Sequence, residues 1–172
     1  MVELYVIVPI GQLCKILDPE IIYNVTCKSK NLNRTMNLGS RIINYRPGIS
    51  ITNLHVNLRV YRKFATIYRQ FMININIDVC ALNSGFVSSV TKILNIERRR
   101  KNGNWYDPCP ISGMRYEKDV IFDYSSMPEI IPAGEYRTDS LHFTEINGEK
   151  REILLIQNFG EVKTTTAEQW KK

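Results

Sequence analysis

The side chains able to do chemistry in this chain are four cysteines, two histidines, a close pair of carboxylates and a run of four cations. The cysteines stand at 14, 27, 80 and 109, with no Cys-x-x-Cys pair, and only His55 and His142 are available to supplement them. Zinc ribbons and thioredoxin-type redox sites need close cysteine pairs, so neither is expected, and no metal is assigned. A hydrolytic triad needs a nucleophile, a base and an orienting group that converge. The same two histidines are the ready bases near neutral pH. His55 falls on the polar side of an alternating segment and His142 lies between Leu141 and Phe143, so both read as surface or sheet-face residues. Glu117 and Asp119 share one side of a strand, where carboxylates are normally solvated. G-x-S-x-G, P-loop and H-E-x-x-H patterns are absent. The expectation is a non-enzymatic protein with no catalytic residue and no cofactor. Arg98-Arg99-Arg100-Lys101 lacks an aromatic platform or a nucleic-acid motif around it. It reads as the cationic end of a helix, complementing the dipole there, and nucleic acid is not an expected partner.

The elements that must hold these groups are mostly strands. Leu54, Val56, Leu58 and Val60 alternate with polar neighbours, as do Ile73, Ile75, Ile77 and Val79. That period of two marks half-buried strands. Tyr23, Val25 and Cys27 give an earlier strand face, and Met114, Tyr116, Val120, Phe122 and Tyr124 a later one. Two more strands, about 134–145 and 149–158, meet at Asn147-Gly148, a hairpin signal because a type I′ turn needs two residues with positive φ. Pro128 and Pro132 bracket a loop. Helical spacing occurs at Phe86, Val90, Ile93, Leu94 and Glu97, with Ser84 placed to cap the N-terminus. The reading is a mainly all-β chain: an immunoglobulin-like two-sheet antiparallel β-sandwich with one short helical insertion near residues 84–100.

The chain has 172 residues, 44% hydrophobic, enough for one domain with a real core. No stretch approaches the roughly 18–20 apolar residues of a transmembrane helix. The division expected is a truncated signal segment or first strand over 1–13, the sandwich over 14–160 and a polar tail over 161–172. Asn24-Val-Thr26 and Asn33-Arg-Thr35 are glycosylation sequons flanking Cys27, which makes Asn24 and Asn33 candidate glycan sites. An even cysteine count beside sequons points to an oxidising, secretory destination. The alternative is four buried free thiols in a cytosolic domain.

Several local words resemble one family. Cys14 to Asp18 (CKILD) is followed by Cys27 to Thr35 (CKSKNLNRT), then by Tyr61-Arg-Lys, Ile77-Asp-Val-Cys80, Asp107-Pro-Cys-Pro110 and Ile131 to Tyr136 (IPAGEY). Their order and spacing are similar to an insect secreted family of unknown function that includes the fly CheB chemosensory proteins. That family is similar in turn to the ML lipid-recognition domains of the Niemann–Pick type C sterol carrier and the ganglioside activator. The resemblance runs over roughly residues 14–158. It implies a sandwich that opens between its sheets to hold an apolar ligand, and a secreted product.

Four cysteines allow three pairings. Cys14–Cys27, joining the first two strands, and Cys80–Cys109, similar to the cystine loop of lipid-recognition domains, are favoured. If a cavity opens, its expected walls are Val56, Leu58, Ile73, Ile75, Ile77, Val120 and Phe122. The function expected is a secreted binding protein for a lipid or other small apolar molecule, with chemosensation as a setting. The alternative is a filled-core interaction module for a membrane receptor or another secreted protein.

Overall fold

The computed structural model describes residues 3–33, 36–85, 96–122 and 131–166. Among the described residues eight strands form two antiparallel sheets. The larger has the order β1-β8-β7-β4-β5, made of Glu3–Ile16, Glu149–Thr166, Gly134–Ile146, His55–Phe64 and Ile67–Asp78. The smaller has the order β2-β3-β6, made of Ile22–Asn31, Asn37–Tyr45 and Met114–Phe122. The architecture is the two-sheet sandwich expected from the period-two patterning. Residues 3–13, read as a leader or first strand, lie in β1, and β8 carries the larger sheet to Thr166 where a polar tail was expected. Among the described residues no helix is long and apolar enough to cross a membrane.

Ladder register fixes which side chains face inward. Cys14 of the larger sheet is bonded to Cys27 of the smaller, with Cα atoms 6.1 Å apart, so both point between the sheets. Cys14 pairs with Ile156, which pairs with Ser140, then Leu58, then Ile75. In the smaller sheet Cys27 pairs with Arg41, which pairs with Glu117. Successive inward positions follow at alternate residues.

Toward one end the interior is closed by Ile21, Ile22, Ile43, Tyr45, Ile51, Leu54, Ile111, Ile153, Leu154 and Ile156, none more than 4% exposed. The second disulfide, Cys80–Cys109, packs against this core. β7 and β8 join through Asn147 (φ 53°) and Gly148 (φ 77°), the two positive-φ positions a type I′ turn needs.

Three local features depart from the sequence expectations. β5 ends at Asp78, whose carboxylate accepts a hydrogen bond from the Ala81 amide and caps a short helix, α1 (Val79–Asn83). Ser84 closes that helix at its C-terminus, whereas it was expected to start one. Placing Cys80 in α1 turns its sulfur toward Cys109, although Cys80 would fall on the wrong face of a continued strand. Phe86, Val90, Ile93 and Leu94 lie outside the described residues, and helix resumes as α2 (Ile96–Arg99) followed by a 3-10 turn, Arg100–Asn102.

In β6 the inward residues are Arg115 and Glu117, and then Val120, whereas the expected face carried Met114 and Tyr116. A bulge explains the change of phase. Lys118 and Asp119 (φ 54°) together oppose Ser40, whose hydroxyl accepts from the Asp119 amide at 3.0 Å. Asn102 holds the bulge by donating to the Lys118 and Asp119 carbonyls at 2.9 and 3.2 Å. Finally, β3 has no counterpart among the strands expected, because its inward residues begin with Asn37, Gly39 and Arg41.

Candidate functional site: the space between the sheets

Between the sealed core and the opposite end lies a buried charged tier. Glu117, 1% exposed, accepts through Oε1 from Arg41 at 3.2 Å and from Arg99 of α2. Arg41 lies over the Trp105 ring at 4.2 Å, and Arg99 over that of Tyr106 at 5.3 Å. Arg115, nearby on β6, donates to the backbone carbonyls of Asn104, Asp107, Pro108 and Pro110 at 2.8–3.3 Å. These bonds tie the segment carrying Cys109 to the sheet. Two of the sequence readings change here. Glu117 is not a solvated carboxylate, and the basic run is not merely a helix end: Arg99 binds Glu117, and Arg100 donates to the carbonyls of Tyr106 and Asn83.

His142 faces this tier from the larger sheet and is buried, not exposed. Burial, then the Arg41 charge, push its pKa down to about 4, so the imidazole is neutral near pH 7. Its Nδ1 lies 3.3 Å from the Ser140 carbonyl oxygen. His55, by contrast, stacks on Phe143 on the outer face, with ring centroids 5.4 Å apart. Tyr45, in the sealed core, has its phenol pushed up to about 12 by burial, partly offset by the Arg115 charge.

Beyond the tier the inward positions change in size. Where the sealed half has isoleucine and leucine, the change begins at Ser140, the β7 partner of Ile156, and continues with Gly39 on β3, Thr138 on β7, and Asn158 and Gly160 on β8. Gln12 donates to Asn158 at 2.9 Å in the same region. Apart from Gly39 of the facing sheet, these groups share the inward face of the larger sheet with the aliphatic side chains of β4 and β5.

The expected wall residues fall into place along this gradient. Val56 pairs with Ile77, and Leu58 with Ile75, across the β4–β5 ladder on the inward face. Ile77 packs with Leu82, Ile96, Trp105 and Tyr106, so it belongs to a filled core. Val120, on the opposite sheet beside Gly39, is 3% exposed. Ile75 and Ile73, one and two inward positions further on, are 41% and 37% exposed. Phe122 ends β6, and its side chain lies outside the described residues, as do Tyr124, Pro128 and the sequon residue Thr35. Thus the structure brings Val56, Leu58, Ile73, Ile75 and Ile77 onto one sheet face and sets Val120 in the other sheet. Arg41, Glu117, Arg99 and His142 were not anticipated as interior groups. No apolar period marks them, and only the ladder register reveals where they point.

The outer faces are different in kind. Asn57 donates to the side-chain oxygens of Asn74 and Asn76 at 2.9 and 2.8 Å, a polar ladder across β4 and β5. Further along, Arg137 lies 4.4 Å from the Tyr61 ring centre and 5.0 Å from that of Tyr68, with Asp139 holding its guanidinium at 2.7 Å. On the smaller sheet an open groove of about 290 Å³ is lined by Thr26, Lys28, Ser40, Ile42, Lys118 and Asp119. Asn24 is exposed on β2, two residues from Thr26.

Fold and interior together define a disulfide-braced antiparallel sandwich, closed by apolar packing at one end and lined at the other by small and polar groups together with buried Tyr136 and Val162. The family model described as "Protein of unknown function (DUF1091)" matches residues 56–138, from β4 into β7. A crystal structure of a Niemann-Pick type C2 protein from Japanese carpenter ant aligns at 12% identity over 84% of this chain and 96% of that one, with a TM-score of 0.39. No curated protein matches the chain.

Proposed function

We propose that the protein is a secreted, non-enzymatic binder of a small lipid-like molecule, held between the sheets from the Cys14–Cys27 row toward the end away from Cys80–Cys109. One observation carries this reading. Ile73 and Ile75 face inward yet are 37% and 41% exposed, on a sheet face whose β7 positions are Ser140 and Thr138 and whose facing sheet carries Gly39. A core that closed on itself would bury both, because each buried aliphatic side chain contributes about 1.5–3 kcal/mol. A long-chain ligand would cover the same surface at about 25 cal/mol per Å², less the cost of ordering it. Gln12, Asn158 and Thr138 would orient its polar end. Two disulfides and the exposed Asn24 support an extracellular setting, with Asn24 and Asn33 as glycan carriers. Chemosensation is one such setting.

The test is native mass spectrometry of protein secreted from insect cells. The reading expects a mass excess corresponding to one lipid, or one-to-one uptake of an added fluorescent fatty acid or sterol by stripped protein. Stripped protein that takes up none of these probes would contradict it and leave the interaction-module reading, for which the ordered Tyr61–Arg137–Tyr68 cluster offers an outer contact surface.

A further inference from the structure

The β4–β5 hairpin combines two features that a solvated surface hairpin does not need. The first is charge of one sign. No aspartate or glutamate occurs between Glu20 and Asp78, while Arg59, Arg62, Lys63 and Arg69 all lie in this hairpin. Lys63 is paired with Glu135 of β7 at 3.0 Å. Among the described residues Arg59, Arg62 and Arg69 form no ion pair. The second feature is exposed apolar surface at the tip and at the bulge beyond it: Phe64 is 42% and Ile67 58% exposed beside the turn, and Met72 71% in the bulge. Phe64 and Ile67 are directly opposite each other across the turn. The guanidinium groups of Arg62 and Arg69 sit 5.2 and 5.9 Å from the Phe64 ring centre, so the cations surround the apolar tip.

We propose that this hairpin tip is a docking surface for an anionic lipid bilayer. Exposed apolar side chains enter the boundary between headgroups and acyl chains, and the surrounding cations meet lipid phosphate and carboxylate groups. Met72 sits in a bulge with φ 59°, where β4 and β5 lose register, and the bulge turns its side chain outward. The same bulge and the arginines disfavour the other use of an edge strand, pairing with a second copy, because a two-fold pair would bring like charges together. From the tip, Ile73 and Ile75 continue along β5 toward the space between the sheets, so the docked edge and that space are contiguous. The proposal does not depend on a ligand being carried, since vesicle binding and lipid uptake are read separately.

The experiment is co-sedimentation of the full chain with vesicles of phosphatidylcholine alone, or with about one part in three phosphatidylserine, at low and high salt. Binding to the serine-containing vesicles is expected, falling with salt, with little binding to phosphatidylcholine alone. Arg59→Glu with Arg69→Glu should weaken it at least about tenfold. Ile67→Ser with Met72→Ser should weaken it comparably while keeping every charge. All four positions are at or near the surface, so circular dichroism should show unchanged folds. Absence of binding by the wild type, equal binding to both vesicles, or indifference to the variants overturns the proposal. So does binding that tolerates Ile67→Ser with Met72→Ser but not charge reversal, which marks a merely electrostatic surface suited to an acidic protein. Self-association through β5 that hides the hairpin overturns it as well.

Discussion

The two halves of the sandwich share strands, registers and hydrogen bonding, yet solve the problem of the interior differently. At the disulfide end, inward positions carry Ile43, Leu154 and Ile156, all at or below 2% exposure. At the hairpin end, the same strands place Gly39, Ser140, Thr138 and Gly160 inward and leave Ile73 and Ile75 partly exposed. Between them sits Glu117 with its two arginines, in the row that also holds Cys27. The difference teaches that a β-sandwich can concentrate its tight apolar packing on one side of a buried ion cluster and leave inward aliphatic side chains partly exposed on the other.

That contrast can be broken most severely at the partition. Glu117→Ala leaves Arg41 and Arg99 buried beside no carboxylate and should cost about 3–5 kcal/mol, read as a lower urea midpoint. Removing the Cys80–Cys109 bridge by paired alanines frees a loop of sequence separation 29 and should cost about 3–4 kcal/mol in the same assay.

A third effect is pH-dependent. His142 has a folded pKa near 4, below its ordinary value of 6.5, so between these values the unfolded chain binds a proton the folded one refuses. The stability His142 confers is therefore complete above about pH 6.5 and is lost as pH falls toward 4. The loss should total about 3 kcal/mol, following 1.36 kcal/mol per pKa unit. His142→Gln should flatten the unfolding free energy across that window. A slope unchanged by the substitution would place the acid sensitivity elsewhere.

The smallest effect separates the halves most finely. Ile75→Ala should lower stability by under about 1 kcal/mol while weakening lipid uptake, whereas Leu154→Ala, at 0% exposure, should cost about 3 kcal/mol. Equal losses at the two sites would erase the distinction.

Much of this scaffold is legible in the sequence, for reasons visible residue by residue. Leu54 to Val60 and Ile73 to Ile77 alternate because one side of β4 and β5 faces the interior. Asn147-Gly148 announces the β7–β8 hairpin because few other pairs tolerate two positive φ values. What is not legible is polarity turned inward. Glu117 reads as a solvated residue and Arg41 carries no signal of its own, since only the cross-strand register places them together and only α2 brings Arg99 to them. The bulge at Asp119 is equally silent, because it is set by Ser40 and Asn102 from other elements. β3 is hidden in the sequence for the same reason: its inward side begins with asparagine, glycine and arginine in place of an aliphatic series.

The central claim is that the half beyond Glu117 accepts an apolar molecule between the sheets. The most direct measurement is photocrosslinking with a diazirine-bearing fatty acid, followed by peptide mapping. Adducts on Leu58, Ile73 and Ile75, competed away by unlabelled fatty acid, are the result predicted. Labelling absent there, or confined to outward positions such as Ile10 and Leu13, would contradict it.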